Sequence, residues 1–547
     1  MGSLIWFSQI LCLSFILLRF RVQSSSPSQS SLNSPPHLCH PEEHSALLDF
    51  KSTTNMVEDC FGVTPRPIIQ TWNERKDCCL WEGITCDKVK ELRFLSLDFV
   101  NMSLVVPSSL LNLTSSLEHL SLSSCNLQGN FPSQVFQLPS LQLLNLRDNS
   151  HLGELQNNRL TEPIDHVEMP NLILQKVCLS NNGISGSLPS SFFRLVNLIV
   201  VDLSSNNLSG TITANMLSKL VNLRDLDLSN NNLLSLSNNS TGVNYSFPNL
   251  WSIKFSSCNI HKFPSFLRKA ERLEVLDISK NKISGQIHKW EIEGMSLVNL
   301  NLSYNFLTGI DLFAFENLTQ VDLSSNLLQG SLPILSTTWD FRHLIISGNN
   351  LIGEIPSSYC NLTSLNVLML ANNNLRGKIP ECLGNLSYLY ILDLQMNKFH
   401  GIIPNSFVNE SQLTTLNLNG NQLEGILPRT LGYCSFLQVL DVGNNCLNDT
   451  FPHWLGVLSQ LKVLILQSNR FHGAIYNSTP AFYFYELRII DVSHNDFTGL
   501  LPSSYFKILT SMRDVHEEEG ELKYMGAYSV ASFLWAIYPG YYDSVMI

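Results

Sequence analysis

From about Leu92 to Pro502 the chain repeats one arrangement of apolar and polar positions. It is clearest in Leu365-x-x-Leu368-x-Leu370-x-x-Asn373-x-Leu375-x-Gly377-x-Ile379-Pro380. The same line returns from Leu389 to Pro404 and from Leu413 to Pro428, a spacing of 24 residues. Further units start at Leu117, Leu174, Leu198, Leu223, Leu273, Leu437, Leu461 and Leu487, and about seventeen can be placed in all. Leu-x-Leu predicts a short strand with both leucines on one face and the intervening residues on the other. One unit cannot bury its leucine face alone, whereas stacked neighbours make a continuous core. Each buried leucine contributes roughly 1.5–3 kcal/mol, so stacking offsets the cost of ordering a unit.

A period of 24 lies in the leucine-rich-repeat range. The expectation is an α/β solenoid, a curved superhelix with a parallel β-sheet on its concave face, in place of the three or four compact domains that the length alone suggests. At about 4.8 Å between strands, the sheet would run roughly 80 Å. The spacing breaks at 153–170 and at 234–249, and the repeat stops after Pro502.

The Asn of each unit, at Asn149, Asn182, Asn206, Asn231, Asn281, Asn305, Asn326, Asn349, Asn373, Asn397, Asn421, Asn445, Asn469 and Asn495, is expected to bond backbone groups where the chain turns after the strand. Cys125 and Cys258 stand there in two units and read as free buried thiols, since a buried Cys behaves as a small hydrophobe. These positions are structural and do not identify a ligand.

Composition narrows the class. With 34 Lys and Arg against 45 Asp and Glu, the net charge of −11 argues against a phosphate-binding nucleic-acid surface. The uncharged apolar run Leu4 to Leu18 is too short for a membrane span. Followed by Arg19, Arg21 and a Ser-rich stretch, it reads as a secretory signal cleaved near residue 24. Export places the remaining cysteines in an oxidising compartment. Asn-x-Ser/Thr sequons at Asn101, Asn112, Asn207, Asn238, Asn239, Asn244, Asn301, Asn317, Asn361, Asn385, Asn409, Asn448 and Asn477 fit a glycoprotein.

Several segments resemble plant leucine-rich-repeat receptor-like proteins, the family of the Cf-type disease-resistance receptors. Gly353-Glu354-Ile355-Pro356 is similar to the plant form of the repeat. Cys39, Glu42, Leu47, Leu48, Phe50, Lys51, Trp72 and Asp77-Cys78-Cys79-x-Trp81-x-Gly83-x-x-Cys86-Asp87 resemble the plant N-terminal cap. Asn448-Asp449-Thr450-Phe451-Pro452-x-Trp454-Leu455-Gly456 and the island motifs around Tyr524 and Tyr541 resemble the same family. The resemblance implies a plant-type fold with an N-terminal disulfide cap over 39–90, after a Ser/Pro-rich lead at 25–38. It further implies a repeat array over 91–505 and a partial non-repeat island over 506–547. It pairs Cys39 with Cys78 and Cys79 with Cys86, and leaves Cys60 without an obvious partner. Cys360 and Cys382 remain open between a bridge across adjacent turns and free thiols. Family members continue past such an island into more repeats and a membrane helix, so the chain is expected to be a receptor truncated at its C-terminus. That implies the extracellular side of the plasma membrane for a continued chain and the apoplast for the chain as it stands.

No kinase signature, phosphate loop or Cys-x-x-Cys occurs, and the scattered histidines assemble no nucleophile with a base. His37, His40 and His44 beside Cys39 lack a second ligand pair. The expectation is a non-enzyme with no metal and no cofactor. A binding surface remains, on the outward positions of the strands. Aspartates recur there at Asp202, Asp227, Asp277, Asp322, Asp393, Asp441 and Asp491 and are expected to belong to the repeat pattern. Outward residues that vary between units are the ligand candidates: His343, Met369, Gln395, Asn417, Gln467 and Arg470. A sugar on Asn301 would stand on the concave sheet, so contacts are expected between His343 and His494. The expected function is extracellular recognition of a peptide or protein ligand, in defence, with no nucleic acid. By family resemblance it signals through a leucine-rich-repeat receptor-kinase adaptor and a co-receptor. The alternatives are a secreted inhibitor of pathogen wall-degrading enzymes, of polygalacturonase-inhibitor type, and a receptor-kinase ectodomain cut short.

Overall fold

The structure, a computed structural model, describes residues 39–53, 69–89, 91–98, 116–125, 127, 129–130, 133–149, 160–161, 163–166, 172–237, 245–311, 317–334, 341–475 and 484–499. The signal segment, the Ser/Pro-rich lead, Cys60, the island and the sequons at Asn101, Asn112, Asn238, Asn239, Asn244 and Asn477 lie outside the described residues. Among the described residues no helix is long and apolar enough to cross a membrane.

The chain divides into two compact units, each a leucine-rich-repeat solenoid segment. The first comprises the described residues up to 184 together with 200–204. It opens with the helix Pro41–Thr53, whose Leu47 and Phe50 are buried. Trp72 stacks on Trp81 at 5.2 Å and donates its Nε1–H to the carbonyl of Glu82 (3.1 Å). Asp77 accepts the backbone N–H groups of both Cys39 and Cys79 at 3.1 Å. That carboxylate holds in place the segments joined by the disulfides Cys39–Cys78 and Cys79–Cys86. Strand Ile84–Cys86 then pairs antiparallel with Leu92–Ser96, and the parallel ladder continues through His119–Ser121, Leu143–Asn145, Lys176–Cys178 and Val200–Asp202.

The second unit comprises 185–199 and the described residues from 205 onward. Its first ladder is parallel throughout, from Asp225–Asp227 to Ile489–Asp491, in unbroken register: Leu344, Leu368, Leu392, Leu416, Leu440 and Leu464 lie side by side. These leucines are at most 3% exposed. A second, parallel ladder runs through Gln329–Ser331, Asn350–Gly353, Asn374–Gly377, Lys398–Gly401, Gln422–Gly425 and Cys446–Leu447. Its recurring glycine has φ near +85°, and at Gly377 a Cβ would sit 2.6 Å from Glu354 of the preceding repeat. Hence glycine ends this strand. Short 3-10 helices follow, each entered from a proline such as Pro356, Pro380, Pro428 or Pro452. Cys360 and Cys382, on two such helices in successive repeats, form a disulfide with their Cα atoms 5.5 Å apart.

The consensus asparagine performs the same bonding in unit after unit. Asn373 Nδ2 lies 3.0–3.2 Å from the carbonyls of Ile346, Leu370 and Ala371, and its Oδ1 accepts the N–H of Leu351 at 3.1 Å. Asn397 and Asn421 repeat this one and two turns on. Cys125 and Cys258 are buried in the same place, and neither is in a disulfide. Their thiols reach the equivalent carbonyls, Leu97 and Ser123 for Cys125, Leu228 and Ser256 for Cys258. A thiol thus replaces the donor half of the amide.

Candidate functional site

Strand alternation sends the leucines inward and sets three columns of side chains on the outward face of the second unit's first ladder. His343, Val367, Ile391, Thr415, Val439 and Val463 form one column. Ile345, Met369, Asp393, Asn417, Asp441 and Ile465 form the next. Ser347, Ala371, Gln395, Asn419, Gly443 and Gln467 follow two residues later.

The second column has a local task. Asp393 Oδ1 accepts the backbone N–H of Gln395 at 3.1 Å, and Asp441 Oδ1 that of Gly443 at 2.9 Å. Asp227, Asp277, Asp322 and Asp491 bond the N–H two residues on in the same way. In the first unit Asp202 does so for Ser204. At Asp202, Asp277 and Asp491 the hydroxyl of that serine adds a second bond at 2.7 Å. Asn301 and Asn417 do the same with an amide oxygen. This turn closes the strand, so the recurring aspartate is part of the scaffold. Burial raises the carboxyl pKa of Asp277 and Asp441, partly offset by these bonds.

The six sequence candidates fall into different environments. The sequence pattern puts His343, Met369 and Asn417 on the outward face. They do stand on the outward columns, but are only 5%, 6% and 6% exposed. At about 4.8 Å between strands, neighbours on both sides crowd them: Gln320 and Val367 beside His343, Ile345 and Asp393 beside Met369, Asp393 and Asp441 beside Asn417. Burial, with Arg342 adjacent, lowers the His343 pKa to about 4. Gln395 and Gln467 are half-buried. Arg470 is exposed but lies beyond Asn469, continuing the 24-residue series Lys398, Gln422 and Cys446, and so follows the second ladder's register. It is off the three columns that carry the others, because the turn at Asn469 intervenes.

Sequence reasoning passed over other residues on and beside these columns. Asn419 Nδ2 donates to Asp441 Oδ1 and Oδ2 (2.9 and 3.1 Å), and Asn444 Nδ2 donates to Asn419 Oδ1 at 3.1 Å. One position ahead of the first column, Lys462 Nζ bonds Gln438 Oε1 at 3.0 Å. Burial and the Arg488 charge lower the Lys462 pKa. The signal was present: these positions also vary from unit to unit. Among the described residues, the one group with metal-ligand proximity is Cys39, Asp77 and Cys78. Its two cysteines are joined in a disulfide, so they offer no thiolate.

The family model described as Leucine rich repeat matches residues 174–233, 363–423 and 411–471, a second repeat model matches 116–138, 296–318, 340–362 and 486–508, and Leucine rich repeat N-terminal domain matches 40–87. Receptor-like protein 49 of Arabidopsis thaliana is 30% identical over 628 residues, covering 89% of this chain and 72% of its own. The chain belongs to the plant receptor-like protein family. Receptor-like protein 7 of the same plant is 48% identical over 316 residues, 56% of this chain. Receptor-like protein 54 is 35% identical over 378 residues, 68% of this chain. This receptor-like protein spans 32% and 45% of the length of those two relatives. In fold it is similar to the TDR receptor (TM-score 0.57, 24% identity, 74% of this chain and 64% of that one). It is also similar to PEPR1 in the PEPR1–AtPEP1 crystal structure (TM-score 0.55, 24% identity, 86% and 81%). These two likenesses concern the fold.

Proposed function

We propose that this receptor-like protein is an extracellular recognition region that reads a peptide or protein ligand on the outward columns of the second unit's first ladder, in defence. A partner receptor kinase and a co-receptor would carry the signal, as the resemblance to receptor-like proteins implies. The membrane's outer side is its working place where the chain is continued by an anchor. The observation that carries this reading is the contrast within the ladder. In the second column Asp393, Asn417 and Asp441 accept the backbone N–H of the turn, while Ile345, Met369 and Ile465 stand at the remaining places. The first and third columns change from His to Val to Thr and from Ala to Gln to Asn at equivalent positions. A scaffold that holds its backbone fixed while varying its outward side chains suits recognition. Gln395 and Gln467 are the two original candidates on this face that retain solvent access.

The test is selection of a displayed random-peptide library against the immobilised full chain, with heat-denatured chain as the control. Enriched peptides that lose binding to a Gln395→Arg, Gln467→Arg double variant support the reading. Enriched peptides indifferent to that variant, or no enrichment over the denatured control, would overturn it.

A further inference from the structure

The 3-10 helix Ser265–Lys269 of one repeat packs against the short helix Lys289–Ile292 of the next, with Phe266, Leu267 and Ile292 buried. Arg268 Nη1 donates to the carbonyl of Trp290 at 3.2 Å and ties the two segments together. Their outer side is cationic. Arg268, Lys269, Arg272 and Lys289 are all exposed, and Trp290 among them is 58% exposed. Among the described residues, no carboxylate lies within ion-pair distance of any of these four cations. Glu291 spends its Oε2 on the backbone N–H of His288 (3.0 Å), which leaves Glu271 and Glu293 as the exposed carboxylates beside the cations.

The repeat itself does not require this charge. The corresponding helices Ser357–Asn361, Glu381–Asn385, Arg429–Tyr433 and His453–Val457 hold a single Lys or Arg among them, Arg429, whose guanidinium lies over the Trp454 ring at 4.9 Å. Acids outnumber bases in the whole chain, 45 to 34, yet the stretch from His261 to Trp290 holds seven Lys and Arg against three Asp and Glu. Arg268, Lys269 and Arg272 repel one another at this spacing, and an anion from outside the chain relieves that repulsion.

We propose that this flank, apart from the outward columns of the first ladder, binds an acidic polysaccharide. Carboxylates of a polyuronate chain pair with Arg268, Lys269, Arg272 and Lys289, and one sugar ring lies on the face of Trp290. The cations come from two successive repeats, so a linear polymer with a carboxylate on every sugar engages both at once, and individually weak exposed pairs add. Other anionic partners fit less well. Trp290 is the one exposed large hydrophobic side chain on the two segments, so a protein partner would find no apolar centre to bury and a membrane no apolar face to insert.

The test measures binding of polygalacturonate to the immobilised full chain. Fully methyl-esterified polygalacturonate, polyglutamate and phosphatidylglycerol vesicles serve as comparisons. Two variants are read beside the parent: Trp290→Ala, and the triple variant Lys269→Glu, Arg272→Glu, Lys289→Glu, which leaves the Arg268 bond in place. All the substituted side chains are exposed, so both variants should melt with the parent. The expected result is binding of polygalacturonate that weakens as salt is raised, by at least about tenfold in the triple variant and about threefold in Trp290→Ala. The uncharged ester should not bind. Absence of binding to the parent, or binding that neither variant changes, would overturn the proposal. Polyglutamate or vesicles held as tightly as polygalacturonate would overturn it in favour of an acidic protein segment or a lipid surface.

Discussion

The buried carboxylate of Glu43, on the cap helix, accepts the backbone N–H of Leu92 at 3.0 Å, in the first strand that carries the leucine pattern. Its other oxygen takes the hydroxyl of Ser116 at 2.9 Å. One side chain therefore satisfies two donors of the following repeats, and couples the cap to them. Glu43→Ala leaves both donors buried without that acceptor and is expected to cost about 2–3 kcal/mol. Glu43→Gln keeps an acceptor and should cost less. Thermal melting of both variants checks this, and equal melting temperatures for Glu43→Ala and the parent would refute it.

Burial raises the Cys258 thiol pKa to about 12, so almost none of it is thiolate at pH 8. Iodoacetamide should leave Cys258 unmodified in the native chain and label it on denaturation. Cys258→Ala removes the donor to the Leu228 and Ser256 carbonyls and is expected to cost about 1 kcal/mol. Cys258→Asn restores the donor with the residue used elsewhere in the repeat and should melt no lower than the alanine variant.

Just before the consensus asparagine, the backbone is left-handed in repeat after repeat: Asn372 at φ 53°, Met396 at 52°, Ser468 at 51°. Met396 is 54% exposed, so its side chain gains little from packing. Met396→Gly should therefore stabilise the chain by about 1 kcal/mol, the left-handed strain relieved less the entropy glycine loses on folding. Denaturant unfolding of the two proteins gives the sign directly. An unchanged or lower midpoint would refute the strain argument.

These cases also mark what could be read from the chain before folding. The strands and the asparagine bonds were legible because the inward apolar residues and Asn373, Asn397 and Asn421 recur with nearly the same residue type at each repeat. The left-handed residue was hidden, since Ser, Asn, Lys, Tyr, Met and His all occupy it and repeat geometry imposes φ on each. Solvent access on the ladder was hidden as well. Alternation tells which face His343 and Met369 stand on, whereas their exposure depends on Gln320, Val367, Ile345 and Asp393 in neighbouring strands, contacts absent from any one repeat. Arg470 was misplaced because its distance from the leucines says nothing of the turn at Asn469.

Acidification should destabilise the second unit through His343. Its folded pKa of about 4 lies below the ordinary 6.5, chiefly through burial, so the unfolded chain takes up the proton first. The stability is present in full above about pH 6.5 and is lost as pH falls from there towards 4, by up to about 3 kcal/mol. Asp277 and Asp441 act in the opposite sense, because their raised carboxyl pKa values favour proton uptake by the folded state. The histidine contribution is isolated by comparing the parent with His343→Gln between pH 7.5 and 4.5. The variant should show the shallower loss of melting temperature, and parallel curves would refute the assignment.

The recurring aspartates invite a reading as an acidic stripe that attracts a basic ligand, and the geometry makes a different prediction. Asp393 is fully buried, and its Oδ1 is spent on the N–H of Gln395. Asp393→Asn removes the charge and keeps the acceptor, so stability should change by less than about 1 kcal/mol, whereas Asp393→Ala should cost about 1–2 kcal/mol through the unsatisfied N–H. If the column is scaffold, peptides selected on the full chain should bind the Asn variant as they bind the parent, with an unchanged dependence on salt. A steering role predicts slower association with the Asn variant and a weaker salt dependence, because removing a field alters encounter rates first. Association kinetics at low and high salt distinguish the two, and the bond to Gln395 favours the scaffold.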